Sequence, residues 1–235
     1  MRKLVLVIIS FLFVLPGYTQ QYKFDDFVET NPPKYLSKEW SELNFSKSFK
    51  VSIVEGVLKI NDDDKLHGRV LLNIEGGELI GLNHGEWGGA LLYKGKAGTI
   101  DTIKKGNIVG ILNFQNQIYF IEGLAHGSFN SGALYKLIKK RNKFIYDKVL
   151  NLEDAPQVSL VLKDKLLIAS FSNFYVFKNG KIETVFKKMF WDSLYPNSIA
   201  VLNNETYIGI RGGFVKLNIP DKTIKFYRYN HITQK

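Results

Sequence analysis

The 235-residue sequence has no cysteine. Disulfides, thiolate metal sites and cysteine nucleophiles are therefore excluded, and stability must come from the packed core. Long apolar runs are almost as scarce: Leu4–Leu15 is interrupted only by Ser10, and no second run follows it. That run is too short for a bilayer span of roughly 20 residues. Arg2 and Lys3 precede it, Pro16-Gly17 breaks it, and Gly17 and Thr19 fit a cut before Gln20, so Met1–Thr19 reads as a secretory signal peptide. The lack of a cysteine after it excludes lipoprotein attachment. The expected mature chain of 216 residues (235 less 19) is long enough for a core of its own and is expected to be periplasmic or secreted, with no integral membrane segment.

Acidic residues are in the minority, with 22 Asp and Glu against 32 Lys and Arg; losing Arg2 and Lys3 lowers the net charge from +10 to +8. Such a chain is drawn to anionic surfaces. The expected location argues against nucleic acid as a partner. Basic clusters are limited to Lys139-Lys140-Arg141 and Lys187-Lys188, and read as solvated turns.

What the sequence does contain is a repeat. Leu82-Asn83-His84-Gly85-Glu86-Trp87-Gly88-Gly89-Ala90-Leu91-Leu92-Tyr93-Lys94 returns as Leu124-Ala125-His126-Gly127-Ser128-Phe129-Asn130-Ser131-Gly132-Ala133-Leu134-Tyr135-Lys136. The two histidines stand 42 positions apart (126 − 84), a period that marks repeat architectures. Short apolar or alternating segments separated by polar turns fill Gly68–Tyr229 and predict an all-β fold. They group in fours. The second strands begin at Glu78, Gln117, Lys165 and Glu205, at intervals of 39, 48 and 40, and the long interval contains the extended segment Lys139–Pro156.

This pattern predicts a β-propeller-like domain over 51–235, with four or five four-stranded antiparallel blades. Phe49–Ile60 would supply a partial fifth blade or a closing strand, in either a closed ring or an open array. Residues 20–50 read as a lead-in, broken at Asn31-Pro32-Pro33. A short helix is expected there, capped by Ser37 and applied to the body through Trp40 and Leu43. The segment Pro196-Asn197-Ser198-Ile199-Ala200-Val201 followed by Tyr207-Ile208-Gly209-Ile210-Arg211-Gly212-Gly213-Phe214-Val215-Lys216-Leu217 resembles the propeller repeat of two-component-regulator sensor proteins. It departs at Tyr207, where that family has Trp, at Ile210, where it has Thr, and at Asn203-Asn204, where it has an Asp-x-x-Gly turn. The resemblance covers about one blade and implies propeller geometry, not signalling.

In a blade, the loop between the second and third strands opens on the face that carries the blade-to-blade links. The repeat thus predicts a cluster of His84, Glu86, Trp87, His126, Phe129, Ser172 and Arg211, a mixture suited to a glycan, an anionic small molecule or a protein partner. Three readings stay open. One is a binding protein. Another is a small hydrolase or lyase using His84, Glu86 and His126. In the third, the His-Gly loops only pack, with histidine bonding backbone carbonyls. No Gly-x-Ser-x-Gly nucleophile motif occurs. Glu86 and Glu122 could form a carboxylate pair, unless Glu122 faces a lysine or arginine across the sheet. His84-x-Glu86 with His126 supplies the three donors of a catalytic zinc site, but the spacing is no metal signature, and neither a metal nor a cofactor is expected. Asn61-Asp62-Asp63-Asp64 lacks the glycine and terminal glutamate of an EF-hand loop and reads as a polar turn.

Overall fold

A computed structural model describes residues 20–63, 68–141 and 143–230. The Met1–Thr19 segment and Asp64 of the polar turn lie outside the described residues.

The described residues form five antiparallel sheets. The first contains β1 (Gln21–Tyr22), β3 (Phe49–Val54) and β4 (Val57–Asp62) in the order β1-β4-β3. The next three are four-stranded meanders. The second sheet holds β5 (Arg69–Ile74), β6 (Gly77–Asn83), β7 (Gly89–Gly95) and β8 (Ile100–Lys105). The third holds β9 (Ile108–Phe114), β10 (Gln117–His126), β11 (Phe129–Lys140) and β12 (Lys143–Leu152). The fourth holds β13 (Pro156–Leu162), β14 (Lys165–Ser170), β15 (Phe174–Lys178) and β16 (Lys181–Phe186). The fifth runs β17 (Ser198–Leu202), β18 (Glu205–Ile210), β19 (Gly213–Asn218), β20 (Thr223–Tyr229) and finally β2 (Phe27–Thr30). The chain is thus an all-β, propeller-like stack of blades.

Turn chemistry sets the meanders. Asn179-Gly180 and Asn203-Asn204 have φ of 51° and 72°, and of 50° and 66°. Positive φ at both central positions is the tight hairpin geometry that Asn and Gly favour, and its twist matches that of the strands it joins. Strand alternation then sends neighbouring side chains to opposite faces. Phe120 enters a core between the second and third sheets, with Leu79, Leu91 and Tyr135, while Ile121 enters the core between the third and fourth, with Phe114, Leu134 and Ile168. Leu167 and Val215 lie between the fourth and fifth sheets, whereas Phe214 packs with Phe49, Val51 and Ile60 between the fifth and first. Burial on both faces explains the continuous apolar runs of these strands. A fully buried Phe or Leu contributes about 1.5–3 kcal/mol by removal from water.

The innermost strands β3, β13 and β17 line an open channel of about 570 Å³. The Gln20–Lys50 lead-in adds β1 to the outer edge of β4 and β2 to the outer edge of β20. Covering edge strands in this way removes unpaired backbone from solvent. Glu29 of β2 accepts from Lys225 Nζ and Tyr227 Oη, both at 3.0 Å. Helix α1 (Lys38–Asn44) begins where expected, with Ser37 Oγ accepting from Trp40 N at 3.2 Å. Trp40 and Leu43 are buried in the core between the fourth and fifth sheets.

Candidate functional site

The repeated loops meet at the rim between the second and third sheets. Asn83 Oδ1 accepts from Gly85 N at 3.0 Å, and His84 opens a single 3-10 turn over Gly85–Trp87, closed by His84 N donating to Gly88 O at 2.8 Å. This turn holds Glu86 against the neighbouring blade, where its Oε2 lies 3.0 Å from His126 Nε2. Trp87, next in the turn, points away from the body and is 83% exposed; Phe129 of the second loop is 56% exposed.

Below this rim lies a cleft of about 410 Å³ between the two sheets. Gly88, Asn107, Glu122, Phe129, Tyr135 and Lys148 are among its lining residues. Glu122 of β10, in its wall, is paired with Lys104 Nζ of β8, at 2.8 Å to each carboxylate oxygen. A bulge between Ile121 and Glu122 in the β9–β10 pairing sets the carboxylate at this position. Gly106 makes room for it: with φ of 141°, a Cβ there would stand 1.8 Å from Glu122 Oε1. Tyr135, cross-strand from Phe120, stacks on that ring at 4.8 Å with an interplanar angle of 6°. Lys104 and Lys148 lie 5.1 and 5.9 Å from the Tyr135 ring centroid. Burial, followed by its hydrogen bond to Glu122, pushes the Tyr135 phenol well above the usual tyrosine range. Asn107 Nδ2 donates to Gly85 O at 2.7 Å, tying the floor to the His84 loop, while its buried Oδ1 has no protein partner among the described residues.

The second loop is fixed from the other side by Asp154, which is 2% exposed. Its Oδ1 accepts from Asn130 Nδ2 at 2.5 Å. Its Oδ2 accepts from Ser170 Oγ and Ser172 N at 2.5 Å and from Asn173 N at 2.8 Å. Asn130 Oδ1 in turn accepts from Ala155 N at 2.7 Å. Pro156 seats on the cross-strand pair Gly123 and Gly132, where added Cβ atoms would meet its Cδ at 2.7 and 2.3 Å.

Of the seven residues singled out by the repeat, the fold brings together Glu86 and His126, with Trp87 and Phe129 at the same rim. His84 supplies the loop backbone, and its side chain makes no hydrogen bond among the described residues. Ser172 is bound into the Asp154 network, its Oγ 3.3 Å from Asp154 Oδ2. Arg211 is engaged elsewhere: its guanidinium donates to Asn44 O and Oδ1 at 2.8 Å and lies 4.5 Å from the Tyr195 ring centroid. Glu122 pairs with Lys104 across the sheets and Glu86 with His126, so each carboxylate of the expected pair has a partner of its own. No group of three potential His, Asp or Glu metal ligands assembles among the described residues. The repeat did not point to Lys104, Asn107, Tyr135 or Lys148. Only the matching Tyr-Lys at the end of each copy touches this set, through Tyr135.

No protein-family model matches the chain, and no curated protein matches it. Among solved structures it is similar to the computationally designed Ika8 protein, at 10% identity over 77% of this chain and 70% of that one, with a TM-score of 0.30. It is also similar to the N-terminal domain of Nup159, at 9% identity over 78% of this chain and 65% of that one, with a TM-score of 0.29. Similarity at this level carries no argument about function, and the propeller-like architecture rests on the sheets and their order.

Proposed function

We propose that the protein is an exported, non-enzymatic glycan-binding protein whose binding surface is the Trp87/Phe129 rim and the cleft beneath it. The observation that carries this reading is the placing of two aromatic rings in solvent, at 83% and 56% exposure, beside a cleft furnished with ammonium, carboxylate, phenol and amide groups. Sugar rings stack their C–H faces on aromatics while their hydroxyls bond to such polar groups. Lys148 has no carboxylate partner among the described residues, which favours an acidic sugar. The export expected from Met1–Thr19 is consistent with an extracellular or cell-wall glycan. The likeness of the last sheet to the two-component-regulator repeat supports the scaffold only.

The test is affinity electrophoresis through gels containing pectin, alginate or a neutral glucan. The wild-type protein is expected to be retarded by a uronate polymer, and Trp87→Ala and Phe129→Ala to migrate freely. Equal mobility of all three proteins in every gel would overturn the reading.

A second reading, a small hydrolase or lyase, draws on the 3.0 Å contact of Glu86 with His126. A paired carboxylate and imidazole can move a proton. The pair is nevertheless half open to water, and His84 is not bonded to it. Incubating the protein with the retained polymer and weighing the products by mass spectrometry separates the two: intact polymer supports binding, and shortened chains that disappear with His126→Ala support catalysis.

A further inference from the structure

The β11–β12 hairpin outgrows its sheet. The β10–β11 pairing ends at Ile118 with Leu137, whereas β11 and β12 continue through Ile138 with Ile145, Lys139 with Phe144 and Lys140 with Lys143. Three further rungs extend the ribbon by about 10 Å. Its tip carries four exposed cations, Lys139, Lys140, Arg141 and Lys143, and the sequence from Ile138 to Tyr146 contains no acid. Behind the cations stands Ile145, 36% exposed, whereas Tyr146 packs edge-on against the Phe120 and Tyr135 rings of the body. The ribbon is braced at the second of these rungs, where Phe144 meets the Tyr93 ring of the second sheet at 4.8 Å. Asp147, the first acid towards the body, stands opposite Lys136.

Strand direction fixes where this finger points. β11 starts at the Phe129 rim and ends at the finger, so the two lie at opposite ends of the stack. The other hairpin turns at the finger's end add Lys96, Lys163, Lys181 and Lys222. Acids are also present there, in Glu55, Glu75, Asp164 and Asp221, and Asp164 is neutralised by Lys178 at 2.6 Å.

We propose that this finger and the lysine-bearing face around it dock the protein on an anionic lipid surface. A protruding, four-charge tip with one exposed isoleucine behind it matches a planar layer of acidic headgroups. A polyanionic chain would instead need a groove to follow, and this end of the molecule presents a projection. Docking in this way turns the Trp87/Phe129 rim away from the membrane, so the proposal is independent of what the rim binds.

The test is flotation of the full chain with phosphatidylcholine vesicles, with and without phosphatidylglycerol, at low and high salt. The wild-type protein is expected to float with the phosphatidylglycerol vesicles in excess of the neutral ones and to be released by salt. The N-terminal segment is common to every variant and cancels in the comparison. Each cation near the surface strengthens binding about five-fold, so Lys139→Ser, Lys140→Ser, Arg141→Ser and Lys143→Ser together should weaken it several hundred-fold. Lys187→Ser with Lys188→Ser, at the opposite end, should bind as the wild type does. All these positions are exposed, and an unchanged thermal melt verifies folding. The proposal fails if the wild type does not discriminate between the vesicles, if the four-fold variant still floats, or if the Lys187/Lys188 variant loses as much. It also fails if dextran sulfate captures the wild type more tightly than the vesicles do.

Discussion

Replacing Asp154 by alanine should be among the most damaging single changes in this protein, although the residue touches no proposed ligand. Its carboxylate gathers Asn130 Nδ2, Ser172 N and Asn173 N, together with Ser170 Oγ, at 2.5–2.8 Å in a position 2% exposed. Ser170 Oγ keeps an alternative acceptor in Asn173 O, at 3.0 Å. Asn173 N likewise keeps Ser170 Oγ, at 3.1 Å. The other two donors, Asn130 Nδ2 and Ser172 N, lose a charged acceptor at one stroke. A buried donor left unsatisfied costs about 1–3 kcal/mol. Water entering from the exposed side of Asn130 offsets part of this, so the expected loss is about 3–4 kcal/mol, a large share of the 5–15 kcal/mol typical of a domain. For a chain of this size that lowers Tm by on the order of 10 °C. Asp154→Asn keeps an acceptor for the two backbone amides but turns an NH₂ towards Asn130 Nδ2, and should cost less than half as much. Urea unfolding followed by tryptophan fluorescence measures both, with the m-value checking that the transition stays two-state. A loss below about 1 kcal/mol for Asp154→Ala would refute the claim that this carboxylate organises the loops of the third and fourth sheets.

Three other changes probe different parts of the structure. Gly106→Ala places a methyl group on the Glu122 carboxylate and should break the Lys104–Glu122 pair, abolishing glycan retention; retention equal to wild type would show that the pair is not part of the site. His126→Ala removes a solvent-open contact and should shift stability by no more than about 0.5 kcal/mol in thermal unfolding; a loss of several kcal/mol would favour a packing role for the repeated histidines. The Glu29 carboxyl is held below its ordinary value by Lys225 and then Tyr227. Its contribution is therefore present above the unfolded-state value and is lost as pH falls through the depressed folded-state value. Amide protection factors in β2 should accordingly drop on acidification, and the drop should vanish in Glu29→Gln; an identical acid response in that variant would refute the assignment.

The sequence made the periodic parts of this fold legible. Four groups of strands, the Ser37-capped helix and the approach of the His84 and His126 loops all follow from local pattern and from equivalence between repeats. The strands β1 and β2 were not legible, because Gln21–Tyr22 and Phe27–Thr30 become strands only by adding to the edges of β4 and β20. Equivalence also placed Arg211 and Ser172 on the same face without revealing their partners: Arg211 is taken by Asn44 at the end of a helix from the lead-in, and Ser172 by Asp154. The cleft itself depends on register. Lys104, Glu122, Tyr135 and Lys148 come from four strands of two sheets, and no spacing along the chain indicates that they converge. The Lys139-Lys140-Arg141 turn could be read as a basic cluster, but its projection required the three extra rungs of the β11–β12 ribbon.

The most direct test of the binding account is the emission of Trp87. Of the three tryptophans, Trp40 and Trp191 are buried and Trp87 is exposed, so collisional quenching by acrylamide reports mainly on the rim. Titration with oligogalacturonate should shift the emission to the blue and protect it from acrylamide, with no such change in Trp87→Phe. Unchanged quenching with oligogalacturonate and with neutral cello-oligosaccharides, or the same response in Trp87→Phe, would contradict a glycan-binding rim at this position.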